Sequence, residues 1–310
     1  MRRVIAALAI AIAMPAGAQQ PPAPAPQPPA VPRPQPEIRI ERIAPGVAVL
    51  FGRGGNIGVS YGADGNILID DQYAPATERV IAAVRTLDPD PIRFVINTHW
   101  HGDHSGGNEN LGRAGTVIVA HDNVRRRMTM EQLVRGERVP PSPAGALPVI
   151  TFSENLTFHL NGDTIRAIHV PHAHTDGDSL IFWTRANVLH MGDVYFNGLL
   201  PFIDLDSGGS IDGAIAAVET ALTLANADTR IIPGHGPMAT RADLQAYLAM
   251  LREVRDGVAR AIRQRRTLPQ IQALRLADRY SRPGGFISPE SFVDTVYRSL
   301  TRPRVHQRHH

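Results

Sequence analysis

The segment His99-Trp100-His101-Gly102-Asp103-His104 places three imidazoles and one carboxylate in a single short stretch directly after the apolar run Phe94-Val95-Ile96. That is the chemistry of a metal site. Imidazole nitrogen is a preferred zinc ligand, and mixed His/Asp donors suit divalent cations in general. Alternate residues of an extended segment face the same way, so His99 and His101 point to one side, with Asp103 and His104 offset toward a second position. Two cations are implied rather than one. Further donors follow at three places, each after a short apolar run: His174 in Pro171-His172-Ala173-His174-Thr175-Asp176-Gly177, Asp193 in His190-Met191-Gly192-Asp193, and His235 in Pro233-Gly234-His235-Gly236. Histidines on an ordinary surface loop rarely gather at this density without an ion to hold.

Two divalent cations held close together share a water, whose pKa falls from 15.7 toward ~7 on coordination, giving hydroxide at neutral pH. Hydrolysis by that hydroxide needs no serine or cysteine nucleophile. Asp103 is positioned in the motif to accept a hydrogen bond from the water and orient it, which makes it the candidate catalytic residue. The chain has no cysteine and, read through, no lysine, so thiolate, Schiff-base and lysine general-base mechanisms are excluded. Candidate substrate contacts are Asn56, Tyr73 and Asn197, chosen because they neighbour donor segments. Arg53-Gly54-Gly55-Asn56 reads either as a flap over the metals or as a plain hairpin turn. His121, His159, His169 and His190 read as structural, and His172 as a residue supporting the site.

These residues need elements to carry them. Short apolar runs at Ile38–Ile43, Val47–Phe51, Ile57–Tyr61 and Ile67–Ile69 read as an antiparallel meander, followed by a helix at Ala76–Leu87 and a strand at Ile92–Ile96. Val117–Val119 reads as a strand, Asp122–Leu133 as a helix and Pro140–Pro148 as a loop. The second half repeats this with strands at Leu156–Leu160, Thr164–Val170, Leu180–Trp183 and Val188–Met191, a helix at Ile211–Leu224 and a strand at Arg230–Ile232. Helices at Arg241–Arg265 and Leu268–Arg279 close the chain. Meander, helix, meander, helix points to an α/β fold, an αββα sandwich of two mixed sheets flanked by helices.

Residues 1–18 combine a basic start, Met1-Arg2-Arg3, an apolar run to Met14 and a small-residue site at Ala16-Gly17-Ala18, the pattern of a secretory signal. The apolar run is shorter than the ~20 residues that span a bilayer, so no membrane anchor is expected after cleavage. The expected location is periplasmic or secreted. Residues 19–36 are a proline-rich linker, leaving 37–310 as one catalytic domain. Without Arg2 and Arg3 the formal charge falls from +3 to about +1, which gives no field for nucleic acid. A small-molecule substrate is expected.

In order, H-x-H-x-D-H, a later His, a Gly-Asp and a Gly-His-Gly over roughly residues 37–240 resemble the metallo-β-lactamase-fold hydrolases. The resemblance implies that His99, His101 and His174 hold a first metal, that Asp103, His104 and His235 hold a second, and that Asp193 bridges them, with two Zn2+ per chain. His101 stands where flavo-diiron relatives carry Glu. Phe196 stands where one lactamase subclass carries the lysine that binds the drug's carboxylate. With Asp193 as the bridge, the donor set is similar to that of glyoxalase II and lactonases. The expected activity is that of an exported dizinc hydrolase acting on a cyclic amide, ester or lactone, with β-lactams favoured by export. A phosphodiesterase or glyoxalase II-like thioesterase of the same fold is one alternative, and a non-catalytic zinc-binding accessory protein is another.

Overall fold

The computed structural model describes residues 37–302. The expected signal (1–18), the proline-rich linker (19–36) and residues 303–310 lie outside the described residues. Four short strands come first: β1 (Arg39–Ala44), β2 (Val47–Phe51), β3 (Ile57–Ser60) and β4 (Asn66–Ile69), each antiparallel to the next. Helix α1 (Thr77–Arg85) leads to β5 (Ile92–Asn97), and the short helices α2 (Gly102–Ser105) and α3 (Asn108–Arg113) lead to β6 (Val117–His121). Helix α4 (Asp122–Met128) and a hairpin of β7 (Gln132–Val134) and β8 (Glu137–Val139) then lead to β9 (Ile150–Phe152). Such crossovers return the chain in the same direction, so β5, β6 and β9 join in parallel and the first sheet runs β1-β2-β3-β4-β5-β6-β9.

The second sheet starts as an antiparallel meander of β10 (Asn155–Leu160), β11 (Asp163–His169), β12 (Ser179–Trp183) and β13 (Val188–His190). Helix α5 (Ile211–Leu224) crosses to β14 (Arg230–Ile232), which is parallel to β13. Helices α6 (Arg241–Arg263), α7 (Leu268–Gln272) and α8 (Pro289–Thr301) complete the described chain.

Alternation along the strands sorts the core into layers. Val47, Val49, Ile67 and Ile69 of the first sheet meet Ile165, Ile181, Trp183, Val188 and Ile232 of the second. The intervening Ala48, Leu50 and Leu68 face the opposite way, onto Val80 and Val84 of α1 and Leu111 of α3. Leu189 and Ile231 likewise turn outward onto α5, α6 and α8. The result is the expected αββα sandwich. Among the described residues no helix is long and apolar enough to cross a membrane.

Three local expectations are corrected. The helix expected over Asp122–Leu133 stops at Met128, because Gln132–Val134 pairs with Glu137–Val139 across a turn in which Arg135 and Gly136 take φ of 52° and 84°. The helix expected over Leu268–Arg279 stops at Gln272, and Arg275 then turns left-handed at φ 54°. Helix α8 was not expected from the sequence, although Ser288 caps it and Pro289 occupies its first turn, a recognised start signal.

One buried pair gives the fold a pH dependence. The His121 and His169 rings stack with centroids 3.6 Å apart and planes 8° from parallel. Asn123 N–H donates to His121 Nδ1, so Nε2–H donates to Ser153 O, and both bonds describe a neutral ring. Burial, and then the neighbouring His121, pull His169 down to about 4. A folded-state value below the unfolded value of about 6.5 means that the contribution is complete above pH 6.5 and is lost as pH falls toward 4. Partial exposure keeps the loss on the order of 1 kcal/mol. Thermal melts of the native chain and His169→Gln should show a shallower decline for the variant between pH 6.5 and 4; parallel declines would contradict this account.

Candidate metal centre

All the donor residues lie where strand ends of the two sheets meet. His99 follows β5, His101 caps α2, and Asp103 and His104 lie within α2. His174 comes from the β11–β12 loop, Asp193 from a 3-10 turn at Gly192–Val194 after β13, and His235 from the loop after β14. The fold thus gathers the donor atoms of seven residues from four separate segments into three overlapping groups: His99/His101/His174, His99/His104/Asp193 and Asp103/His104/His235.

Asp193 relates the groups to one another. Its Oδ2 lies 3.9 Å from His99 Nε2 and 3.7 Å from His174 Nε2, whose other neighbour is His101 Nδ1 at 2.9 Å. Its Oδ1 lies 3.0 Å from His104 Nε2 and 3.4 Å from His235 Nε2. Asp103 Oδ2 stands 3.2 Å from His235 Nε2 and 3.7 Å from His104 Nε2. One carboxylate therefore presents an oxygen to each of two donor sets.

The far sides of the His99, His101, His104 and His174 rings are fixed by partners, which set the tautomer and aim the near nitrogen inward. His101 Nε2–H donates to Asp204 at 2.9 Å and His174 Nδ1–H to Phe202 O at 2.8 Å. Asp70 serves two rings at once. It accepts from His104 Nδ1–H at 2.7 Å and from the Thr98 hydroxyl at 2.8 Å, and that hydroxyl accepts in turn from His99 Nδ1–H at 3.0 Å. Asp70 and Asp204 are functional residues that the sequence reading missed. The available signal was position, since Asp70 directly follows β4, whose parallel partner β5 runs into the motif. Asp70→Ala should weaken zinc binding by about 10–100-fold, measured by competition with a chromogenic chelator; native affinity in this variant would remove Asp70 from the site.

The electrostatics divide the cluster. Burial drives His99 well below its ordinary value and His174 down to about 4, so both are neutral donors. Burial opposes a charge on His104 and His235 too, yet Asp193 and Asp103 hold His104 well above its ordinary value and His235 up at about 9. Asp193, against its own burial, is held well below the carboxylate range by His235 and His104, and Asp103 is lowered by His104 and His235. Binding of divalent cations displaces such protons.

The donor set fits metal ions. His99 Nε2 is buried with no hydrogen-bond partner, a costly state for a polar atom that an ion would relieve. The backbone is cut to suit: a Cβ on Gly55 would stand 2.1 Å from His104 Cε1, and one on Gly234 would stand 2.1 Å from Asp193 Oδ1. Only glycine allows this approach.

The remaining candidates take varied places. Asn56 is buried, and its amide donates to Pro233 O at 2.8 Å and Gly236 O at 2.9 Å, lacing the β2–β3 segment to the loop that carries His235. Gly55 N–H also donates to Asp103 O at 3.0 Å, so this segment is tied into the site. Asn197 donates to Pro237 O and accepts from the Tyr195 hydroxyl. Tyr73 is exposed beside the cluster, its hydroxyl raised by partial burial and then by the Asp103 carboxylate. His190 is buried, bonded to Asn56 O and Gly192 N. His172 bonds Gly208 O, away from the donors. A Gly-x-Ser-x-Gly run occurs at Gly58–Gly62, but Ser60 is 1% exposed at the end of β3, far from the strand-to-helix turn that a nucleophilic serine occupies.

Comparison with known proteins agrees with this architecture. The sequence pattern described as the Metallo-beta-lactamase superfamily matches residues 50–235, a span containing all seven donors. A hydroxyacylglutathione hydrolase of Haemophilus influenzae is 29% identical over 166 residues, covering 53% of this chain and 77% of that protein. Among solved structures, a metallo-β-lactamase from Pontibacter korlensis superposes with a TM-score of 0.60 at 18% identity, over 70% of this chain and 99% of its own. A stereoselective inverting sec-alkylsulfatase from Pseudomonas sp. gives 0.63 at 17% identity, over 84% of this chain and 50% of its own. With two packed sheets, donors at their shared edge and a family match across more than half its length, the chain belongs to the metallo-β-lactamase superfamily of metallohydrolases.

Proposed function

We propose that this chain is an exported hydrolase that uses two zinc ions to open a cyclic amide, ester or lactone in a small-molecule substrate. The observation that carries the reading is Asp193, whose two oxygens face separate histidine sets. When bound, two zinc ions supply Lewis acidity toward a carbonyl and acidify water toward neutral pH. The chain's own residues do the rest. Asp103 and His235 form the accessible side of the cluster, with side chains 21% and 18% exposed. Asp103 there accepts a hydrogen bond from an incoming water and orients it. Asp70 and Asp204 keep the imidazoles from turning, so the donors are organised before substrate arrives. Phe202 packs against His101 and His174 and keeps water from that flank.

Export rests on the signal pattern at residues 1–18 and favours extracytoplasmic substrates such as β-lactams over thioesters of the cytosol. Thioester hydrolysis is the second reading, favoured by the Haemophilus influenzae relative. Zinc-loaded protein starting at Gln19 should be assayed on a chromogenic cephalosporin, an aryl lactone, S-lactoylglutathione and a bis-aryl phosphodiester. Chelator-sensitive turnover fastest on the cephalosporin or lactone supports the proposal. Fastest turnover of the thioester selects the second reading. Turnover of none, by protein that carries its metal, overturns both in favour of an accessory zinc-binding role.

A further inference from the structure

Resting on the hydrolase reading, the surroundings of the opening narrow the substrate class. The accessible side of the cluster is the Asp103/His235 side, while the other donor side chains are at most 9% exposed. Among the described residues two aromatic side chains are exposed, Tyr73 at 42% and Phe286 at 45%. Phe286 borders this opening, and Tyr73 belongs to the segment packed against Asp103. The Phe286 ring lies 5.9 Å from the His235 ring and 5.7 Å from Phe196, which itself stacks on His235 at 5.4 Å and 15°. Tyr73 is carried by the segment packed against the Asp103 turn: the Gln72 amide accepts from Gly54 N–H and donates to Gly55 O, Gly55 N–H donates to Asp103 O, and Gly107 N–H donates to Gln72 O. Large rings left part-exposed around the accessible donors favour a ligand that covers them.

Phe286 comes from the segment between α7 and α8, beyond the residues that match the superfamily pattern. Gly284, with φ 86°, turns the chain just before it. The adjoining Gly285 approaches Leu199, which lines a cavity of about 400 Å³ together with Phe196, Asn197, Tyr247 and Tyr280.

We propose that Phe286 and Tyr73 form an aromatic clamp over the Asp103/His235 opening that holds an aromatic or bulky apolar substituent next to the scissile bond. The favoured substrates are then arylacyl or arylalkyl esters, lactones and lactams rather than small aliphatic ones. Offset or edge-to-face ring contacts supply selectivity without a charged anchor, in keeping with a chain that lacks lysine.

The test compares p-nitrophenyl phenylacetate with p-nitrophenyl acetate on the zinc-loaded protein, and binding of phenylacetate with that of acetate by calorimetry. In Phe286→Ala the kcat/KM ratio of the phenylacetyl to the acetyl ester should fall about tenfold, and phenylacetate binding should weaken relative to acetate by a similar factor. Phe286→Leu should lie between. Tyr73→Ala, at an exposed position, should lower the same ratio and covers the case in which Phe286→Ala misfolds. Unchanged ratios in folded variants, or equal binding of the two carboxylates by the native chain, overturn the clamp. If the native chain hydrolyses neither ester, carboxylate binding alone decides the clamp, and the substrate panel above decides the hydrolase reading.

Discussion

Asp103→Ala should lower kcat/KM for every hydrolysed substrate by at least about 10³-fold and leave the fold standing. The size of the effect follows from position. Asp193 is 6% exposed and faces inward, so Asp103, at 21%, is the carboxylate that an incoming water can reach. Its neighbours His104 and His235 hold it ionised despite burial, so it accepts a hydrogen bond from water and donates none. The fold survives because the anchor of this turn is backbone: Gly55 N–H donates to Asp103 O, and alanine retains that carbonyl. His101→Ala should have a comparable effect by removing a donor from the other set. Melting temperature and circular dichroism establish folding, and steady-state rates read the loss. Normal turnover by the folded variant would contradict the assignment.

Asp193→Ala should lower the zinc content from two ions per chain to one or fewer. Asp193 is the strongest attraction holding both His104 and His235 above their ordinary range, and its other oxygen faces His99 and His174. No other carboxylate among the described residues stands between the two sets. Removing it separates them, because the remaining donors form one group of His99, His101 and His174 and another around Asp103. Elemental analysis of the dialysed variant provides the count, and two ions per chain would show that Asp193 does not bridge.

Much of this was legible in the residues. The seven donors stood out because each sits just past an apolar run, the signature of a strand ending at a sheet edge. The layers were legible for a similar reason: Ile67, Leu68 and Ile69 are all apolar, as a strand buried on both faces must be. Residues whose role depends on tertiary approach were not. Asp70 reads as an ordinary turn acid until the β4–β5 register brings it beside Thr98. Asp204 reaches His101 across more than a hundred residues. Asn56 was marked by its neighbourhood, but its amide is spent on two carbonyls on the far side of the chain. Phe286 carries no motif, and packing alone brings it to His235.

The most direct test of the central claim is a zinc titration of metal-free protein, followed at each step by hydrolysis of the best panel substrate. Two donor sets joined by Asp193 predict that bound zinc saturates at two equivalents per chain, that activity rises to its maximum over the same range, and that a chelator abolishes it. Saturation at one equivalent with full activity, or turnover that survives complete removal of metal, would contradict the account.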